Sequence, residues 1–280
     1  MRVCGFIAAT LFAVSASALA QETRELAELI NAYRTSPQTC EGRRMEVAGP
    51  LTPEPRLDRV RFNAKTPLGE ALQSAGYAAA RVQAISIYGP RSAQSAMSML
   101  KQGYCSELLS PQFAELGVSR EGNSWRLVLA QPLLTPDLDS WREAGREVLD
   151  LVNAARAEPR TCGEERFGKS PPLQWNEKLA QAALKHSMDM AKRNYFRHEG
   201  PGGASVRERA TAEGYRWRTI GENIATGQGA PKQVVAGWLA SPHHCSNIMH
   251  PGFSEMGAAY FVNRQSDTTI YWTQVFGAPR

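Results

Sequence analysis

Five histidines and five cysteines carry most of the chemistry open to this 280-residue chain. His186, His198, His243, His244 and His250 all fall within 65 residues of one another. Imidazole titrates near neutral pH and ligates zinc through a neutral nitrogen. A cluster of this kind therefore suits general acid–base work or a metal site. Each histidine also has an ordinary use. His186 shares an apolar helical stripe with Leu179, Ala182, Ala183 and Met190 and reads as a core histidine. His243 and His250 read as exposed loop residues. Ser241 beside these histidines suggests a Ser-His-Glu hydrolase, but no G-x-S-x-G elbow surrounds it and Pro242 gives it the look of a turn residue. The cysteines show no C-x-x-C metal spacing.

The N-terminus sets the compartment in which those cysteines act. Arg2 is the only charge before Glu22, Val3 to Val14 is almost wholly apolar, and Ala18-Leu19-Ala20 fits a signal-peptidase site. The apolar run is shorter than the roughly 20 residues that span a bilayer. The expectation is a signal peptide over 1–20, cut after Ala20, and a secreted or periplasmic chain without a transmembrane anchor. Cys4 precedes the apolar core, so lipid anchoring is not expected. Cys40, Cys105, Cys162 and Cys245 then remain, an even number suited to two disulfides with three possible pairings. Hydrophobic residues at 42% and charged residues at 21% exclude a disordered tail and a coiled coil. A net charge of +5 without any run of five basic residues argues against nucleic-acid binding.

An internal repeat selects one pairing. Leu29-Ile30-Asn31-Ala32-Tyr33-Arg34 returns as Leu151-Val152-Asn153-Ala154-Ala155-Arg156, and Cys40 matches Cys162 at the same offset of 122. Gly76-Tyr77 matches Gly214-Tyr215 at 138. Cys105, Pro111, Phe113, Glu115 and Gly117 match Cys245, Pro251, Phe253, Glu255 and Gly257 at 140. Trp125, Val128 and Pro132 match Trp272, Val275 and Pro279 at 147. Colinear blocks with a rising offset indicate a tandem duplication, and it predicts Cys40–Cys105 and Cys162–Cys245. The first copy is shorter by 16 residues between Cys40 and Gly76, where the second carries His186 and His198. His244 corresponds to Tyr104 and Glu222 to Ala84, so the polar chemistry is confined to the second copy.

The elements that must position these residues follow from periodicity. Leu26, Leu29, Ile30 and Tyr33, and again Ala144, Val148, Leu151, Val152 and Ala155, fall at helical spacing. Asn176 to Asn194 reads as another helix. Met256–Val262 and Thr269–Phe276 read as a hairpin, echoed by Leu116–Ser119 and Trp125–Ala130. The prediction is an α+β fold: a domain over 21–132, a linker over 133–140 marked by Pro136 and Asp137, and a second domain over 141–280.

The second copy also resembles a known family. Pro172-Leu173-Gln174-Trp175-Asn176, HSMDMAKRNYFRH (His186 to His198), GENIA (Gly221 to Ala225), VVAGWLASPHHCSNIM (Val234 to Met249) and YWTQVFG (Tyr271 to Gly277) resemble the CAP superfamily in its bacterial SCP-like form. The resemblance implies a three-layer α-β-α sandwich with a cleft, here in two tandem copies of which the first is reduced. It also implies secreted proteins linked to sterol or fatty-acid binding, to glycans and in a few cases to proteolysis.

Carried over by residue, the resemblance makes His198, Glu222 and His244 the cleft site. Ser241 and Tyr271 stand where the family has a second glutamate and a second histidine. Two imidazoles and a carboxylate form a plausible Zn²⁺ set, although no cofactor is required by the sequence. A hydrogen-bonded polar cluster that shapes a cleft is the alternative. Three functions follow: a binding protein for a lipid or cell-envelope glycan, a metal-dependent hydrolase on the His/Glu/His cluster, and an interaction scaffold using the first domain for a protein partner. No catalytic residue is assured by the sequence.

Overall fold

The computed structural model describes residues 8–63, 65–133, 138 and 140–280, with side chains from residue 18 onward. Cys4, Arg2 and most of the expected linker lie outside the described residues, and the expected cut after Ala20 falls within the first helix. That helix, α1 (Ala8–Arg34), is followed by the short hairpin β1 (Gln38–Cys40) and β2 (Arg43–Met45), then β3 (Thr52–Pro53), α2 (Pro55–Asp58) and α3 (Leu68–Ser74). The first half continues with β4 (Ala79–Tyr88), α4 (Ala93–Gly103), α5 (Cys105–Leu108), β5 (Glu115–Glu121) and β6 (Ser124–Pro132). The second half begins with α6 (Trp141–Arg156), the hairpin β7 (Arg160–Cys162) and β8 (Glu165–Phe167), β9 (Gln174–Trp175), α7 (Glu177–Arg193) and α8 (Val206–Ala212). It ends with β10 (Trp217–Thr226), α9 (Pro231–Leu239), α10 (Pro242–Met249), β11 (Glu255–Val262) and β12 (Ile270–Pro279). No helix among the described residues is long and apolar enough to cross a membrane.

Each half builds a four-stranded sheet, in the order β3-β5-β6-β4 and β9-β11-β12-β10. In both, the two-residue strand pairs parallel with its neighbour and the other pairings are antiparallel. Helices cover both faces, because each strand buries residues on both sides. In the second half Val148, Val152, Trp238, Ile248 and Trp272 fill one face, while Leu179, Ala183, Ala210 and Tyr215 fill the other. In the first half Leu26, Ile30, Leu100 and Trp125 lie on one face and Leu57, Leu72 and Tyr77 on the other. The architecture is the expected α+β sandwich.

The polar frame inside each half uses the same bonds. Asn31 exchanges two hydrogen bonds with the Leu51 backbone, and Asn153 does the same with Leu173. Arg34 donates to the carbonyls of Gly49, Leu108, Ser110 and Phe113, and Arg156 to those of Pro171, Ile248, His250 and Phe253. Both guanidiniums are buried, which lowers their pKa values to about 9 and about 10. Trp125 and Trp272 bond the carbonyls of Pro90 and Gln228, and Tyr77 and Tyr215 bond Glu115 and Glu255. The disulfides are Cys40–Cys105 and Cys162–Cys245, the pairing the sequence predicts.

The two halves part company after the first turn of α7. Glu54 caps α2 by accepting from the Arg56 amide, and Asn176 caps α7 by accepting from Lys178 and Leu179. Then α2 stops after four residues, whereas α7 runs for 17. The halves meet where β3 and its flanks pack on α9. Thr52 donates to the Gln233 carbonyl (2.8 Å), Gln233 to Glu115 (2.6 Å), and Gln228 to the Pro50 carbonyl (2.9 Å). A Cβ on Gly237 would sit 2.8 Å from Thr52 Oγ1, so the residue facing Thr52 must be glycine for this approach.

Candidate functional site

The end of α7 places the first site residue. Asn194 caps the helix in the left-handed conformation (φ 53°), which short polar residues tolerate, and turns the chain out of the helix. Tyr195 then donates to Asp189 (2.6 Å), six residues back on α7, and so fixes the start of the loop that carries His198. Glu222 lies mid-strand in β10, paired with Val275 of β12. The strand geometry turns successive side chains to opposite faces. Glu222 accordingly meets His198, while Asn223 bonds the His244 carbonyl and Gln274 on the α10 side.

Glu222 is the centre of the cluster. Its side chain is 2% exposed and both carboxylate oxygens are taken. The His198 Nδ1–H donates to Oε1 (2.8 Å), and Arg209 Nη2 donates to Oε2 (2.7 Å). Burial pushes the carboxyl upward, but the His198 hydrogen bond and the Arg209 charge overcome it and hold Glu222 below its usual range. Because Glu222 is a carboxylate, His198 keeps its proton on Nδ1, and Nε2 is the ring's remaining polar atom. The His198 side chain is 54% exposed. Arg209 also donates to the carbonyls of His198 and Ala204, so one guanidinium ties the loop to the strand.

The other histidines play different parts. His186 is buried, bonds the Arg197 carbonyl through Nε2 (3.0 Å) and lies 3.9 Å from Glu222. Burial lowers its pKa to about 4 despite Glu222, so it is neutral at pH 7 and belongs to the core, as the apolar stripe predicts. His244 is buried on α10, and its Nδ1 bonds Ser241 Oγ (2.9 Å). Burial, followed by the charge of His198, lowers it to about 3. His243 and His250 are exposed, His243 within α10 rather than in a loop.

His198 and Glu222 are thus joined directly, while His244 hydrogen-bonds to neither and is instead held by Ser241. Ser241 and Tyr271 are both buried. Tyr271 packs with Met190, Ala191 and Ile224, which makes it a core residue that also reaches Asn194. Among the described residues no group of three His, Cys, Asp or Glu side chains is placed to hold a metal ion. In this structure the expected zinc set is instead engaged in hydrogen bonds: Arg209 sits on Glu222, and the His244 Nδ1 bonds Ser241. Arg209 was missed because its contact with Glu222 arises only when α8 packs beside β10. Asn223 and Gln274 lie inside the GENIA and YWTQVFG motifs, so the signal for them was present.

Residues 149–276 match the model of the cysteine-rich secretory protein family, CAP. An uncharacterized Bacillus subtilis protein, YkwD, is 35% identical over 131 residues, 47% of this chain and 46% of its own. An uncharacterized membrane protein of the same organism, YlbC, is 27% identical over 156 residues, 54% of this chain and 40% of its own. The match therefore spans less than half the length of both relatives. Among solved structures, an extracellular SCP-domain protein of Bacillus anthracis is 24% identical, covering 56% of this chain and 52% of its own at a TM-score of 0.43. Residues 149–276 carry a CAP domain.

Proposed function

We propose that this is an exported CAP-domain binding protein that holds a lipid or cell-envelope glycan against the His198–Glu222–Arg209 cluster of its second half. The observation that carries the reading is the chain of bonds that fixes the exposed His198 ring: its Nδ1–H donates to Glu222 Oε1, and Arg209 holds Oε2 of the same buried carboxylate. What the cluster offers a ligand is the exposed His198 ring, oriented by a buried carboxylate. Two disulfides support export, since such bridges persist in oxidising compartments. On this reading the first half is a reduced copy of the second that braces α9.

The test is to produce the protein with its leader, purify it from the exported fraction, and analyse organic and aqueous extracts by mass spectrometry alongside metal analysis. A copurified lipid or glycan near one per chain, lost in His198→Ala, is the expected outcome. Stoichiometric metal together with a chelator-sensitive hydrolase activity would overturn it in favour of an enzyme.

A further inference from the structure

A cavity of about 520 Å³ lies between the two halves, and neither His198, Glu222 nor Arg209 lines it. The first half supplies Met45, Val47 and Leu109, and the second supplies Tyr195, Phe196 and Tyr271. Neither half forms it alone. Its volume falls within the range of small-molecule sites, which are mostly apolar with a few placed polar groups.

The polar group here is Thr268. It lines the cavity, is 3% exposed, and its hydroxyl has no hydrogen-bond partner. A buried hydroxyl left unpaired costs free energy that a ligand oxygen can recover. The hydroxyl oxygen is itself buried here, so a ligand oxygen reaches it through a χ1 rotation that exchanges the hydroxyl with the methyl and leaves the backbone in place.

The charges at the mouth balance. Arg44 and Arg197 stand there with Glu46 and Asp267. Of these, Arg197 lies over the Tyr195 ring at 5.4 Å and Asp267 accepts from Asn194, so no single sign dominates. Selection then comes from the apolar walls, three aromatic rings and one hydroxyl. We infer that this interdomain cavity binds an uncharged, flat, apolar small molecule carrying one hydroxyl or carbonyl oxygen, with the ring body against Tyr195, Phe196 and Tyr271 and the oxygen on Thr268.

The experiment uses the full chain with 2-naphthol and naphthalene as probes, followed by calorimetry or probe fluorescence. Saturable one-to-one binding of 2-naphthol is expected. Thr268→Val should weaken 2-naphthol about fivefold, the worth of one recovered hydrogen bond, and leave naphthalene unchanged. Val47→Trp, at a half-buried position of the first half, fills the space and should weaken both probes by at least about tenfold. Thermal unfolding of each variant confirms that it is folded. The inference is overturned if 2-naphthol shows no saturable binding, if folded Val47→Trp binds as the parent does, or if Thr268→Val affects both probes equally. The cavity shares no residue with the Glu222 cluster, so failure here leaves the proposed function standing, and the reverse also holds.

Discussion

The two halves of this molecule bury the same polar frame and differ in what they add to it. Asn31 and Asn153, Arg34 and Arg156, and Tyr77 and Tyr215 make equivalent bonds in equivalent places. The second half alone extends α7 past its first turn, and with it come His186, the His198 loop and the partners of Glu222. The frame is thus independent of the site: a half can shed the longer helix and keep its sheet, its arginine and its disulfide.

The largest expected difference between the halves is in their response to acid. His186 and His244 have folded-state values of about 4 and about 3, below the ordinary 6.5. The unfolded chain takes up their protons first, so the stability they permit is complete above 6.5 and lost as pH falls toward 4. Together they remove about 4 kcal/mol between pH 6.5 and 4.5, with Glu222 acting in the same direction. In the first half burial raises Glu115 and Asp58, whose contribution is present at low pH and lost as pH rises through their raised values. Native-state hydrogen exchange should show protection falling in residues 141–280 and holding in 38–132 on acidification. A uniform loss would break the comparison.

Next come the bridges. Each closes a long loop, 65 residues apart in one half and 83 in the other, and each is worth about 4 kcal/mol in the chain-entropy model. Cys40→Ala/Cys105→Ala and Cys162→Ala/Cys245→Ala should therefore shift the urea midpoint by similar amounts. Arg156→Met orphans several buried carbonyls and should cost about 3 kcal/mol, with Arg34→Met close to it; circular dichroism during denaturation reads both. A large gap between the two would mean that matching bonds carry unequal weight. The smallest effect belongs to the junction: Gly237→Met drives a side chain into Thr52 and should cost about 2 kcal/mol, seen as an increased radius of gyration in solution scattering.

Much of this was legible in the sequence. Asn176 and Asn194 bound α7 as its N-cap and left-handed C-cap, and the hairpins fell where β-branched and aromatic runs placed them. The strand β10 was not, because Gly221-Glu222-Asn223 interrupts its apolar pattern with groups that only tertiary partners satisfy. The helices α9 and α10 begin at Pro231 and Pro242, a first-turn signal that the motif reading passed over. Arg209 had no local signature, since its partner is 13 residues away on another element. The resemblance named His198 and Glu222 but carried no sign of the guanidinium that joins them.

The junction has a further consequence for assembly. It joins unlike faces, the β3 flank of one half to α9 of the other, and a contact between unlike faces can in principle repeat without end. The α9 socket depends on Gly237 admitting Thr52. At the offset of 138 that aligns α4 with α9, the first half carries Met99, 41% exposed, in place of that glycine. A partner approaching α4 as Thr52 approaches α9 would meet a thioether where the second half offers a gap, so the contact fits the α9 face and not its counterpart on α4.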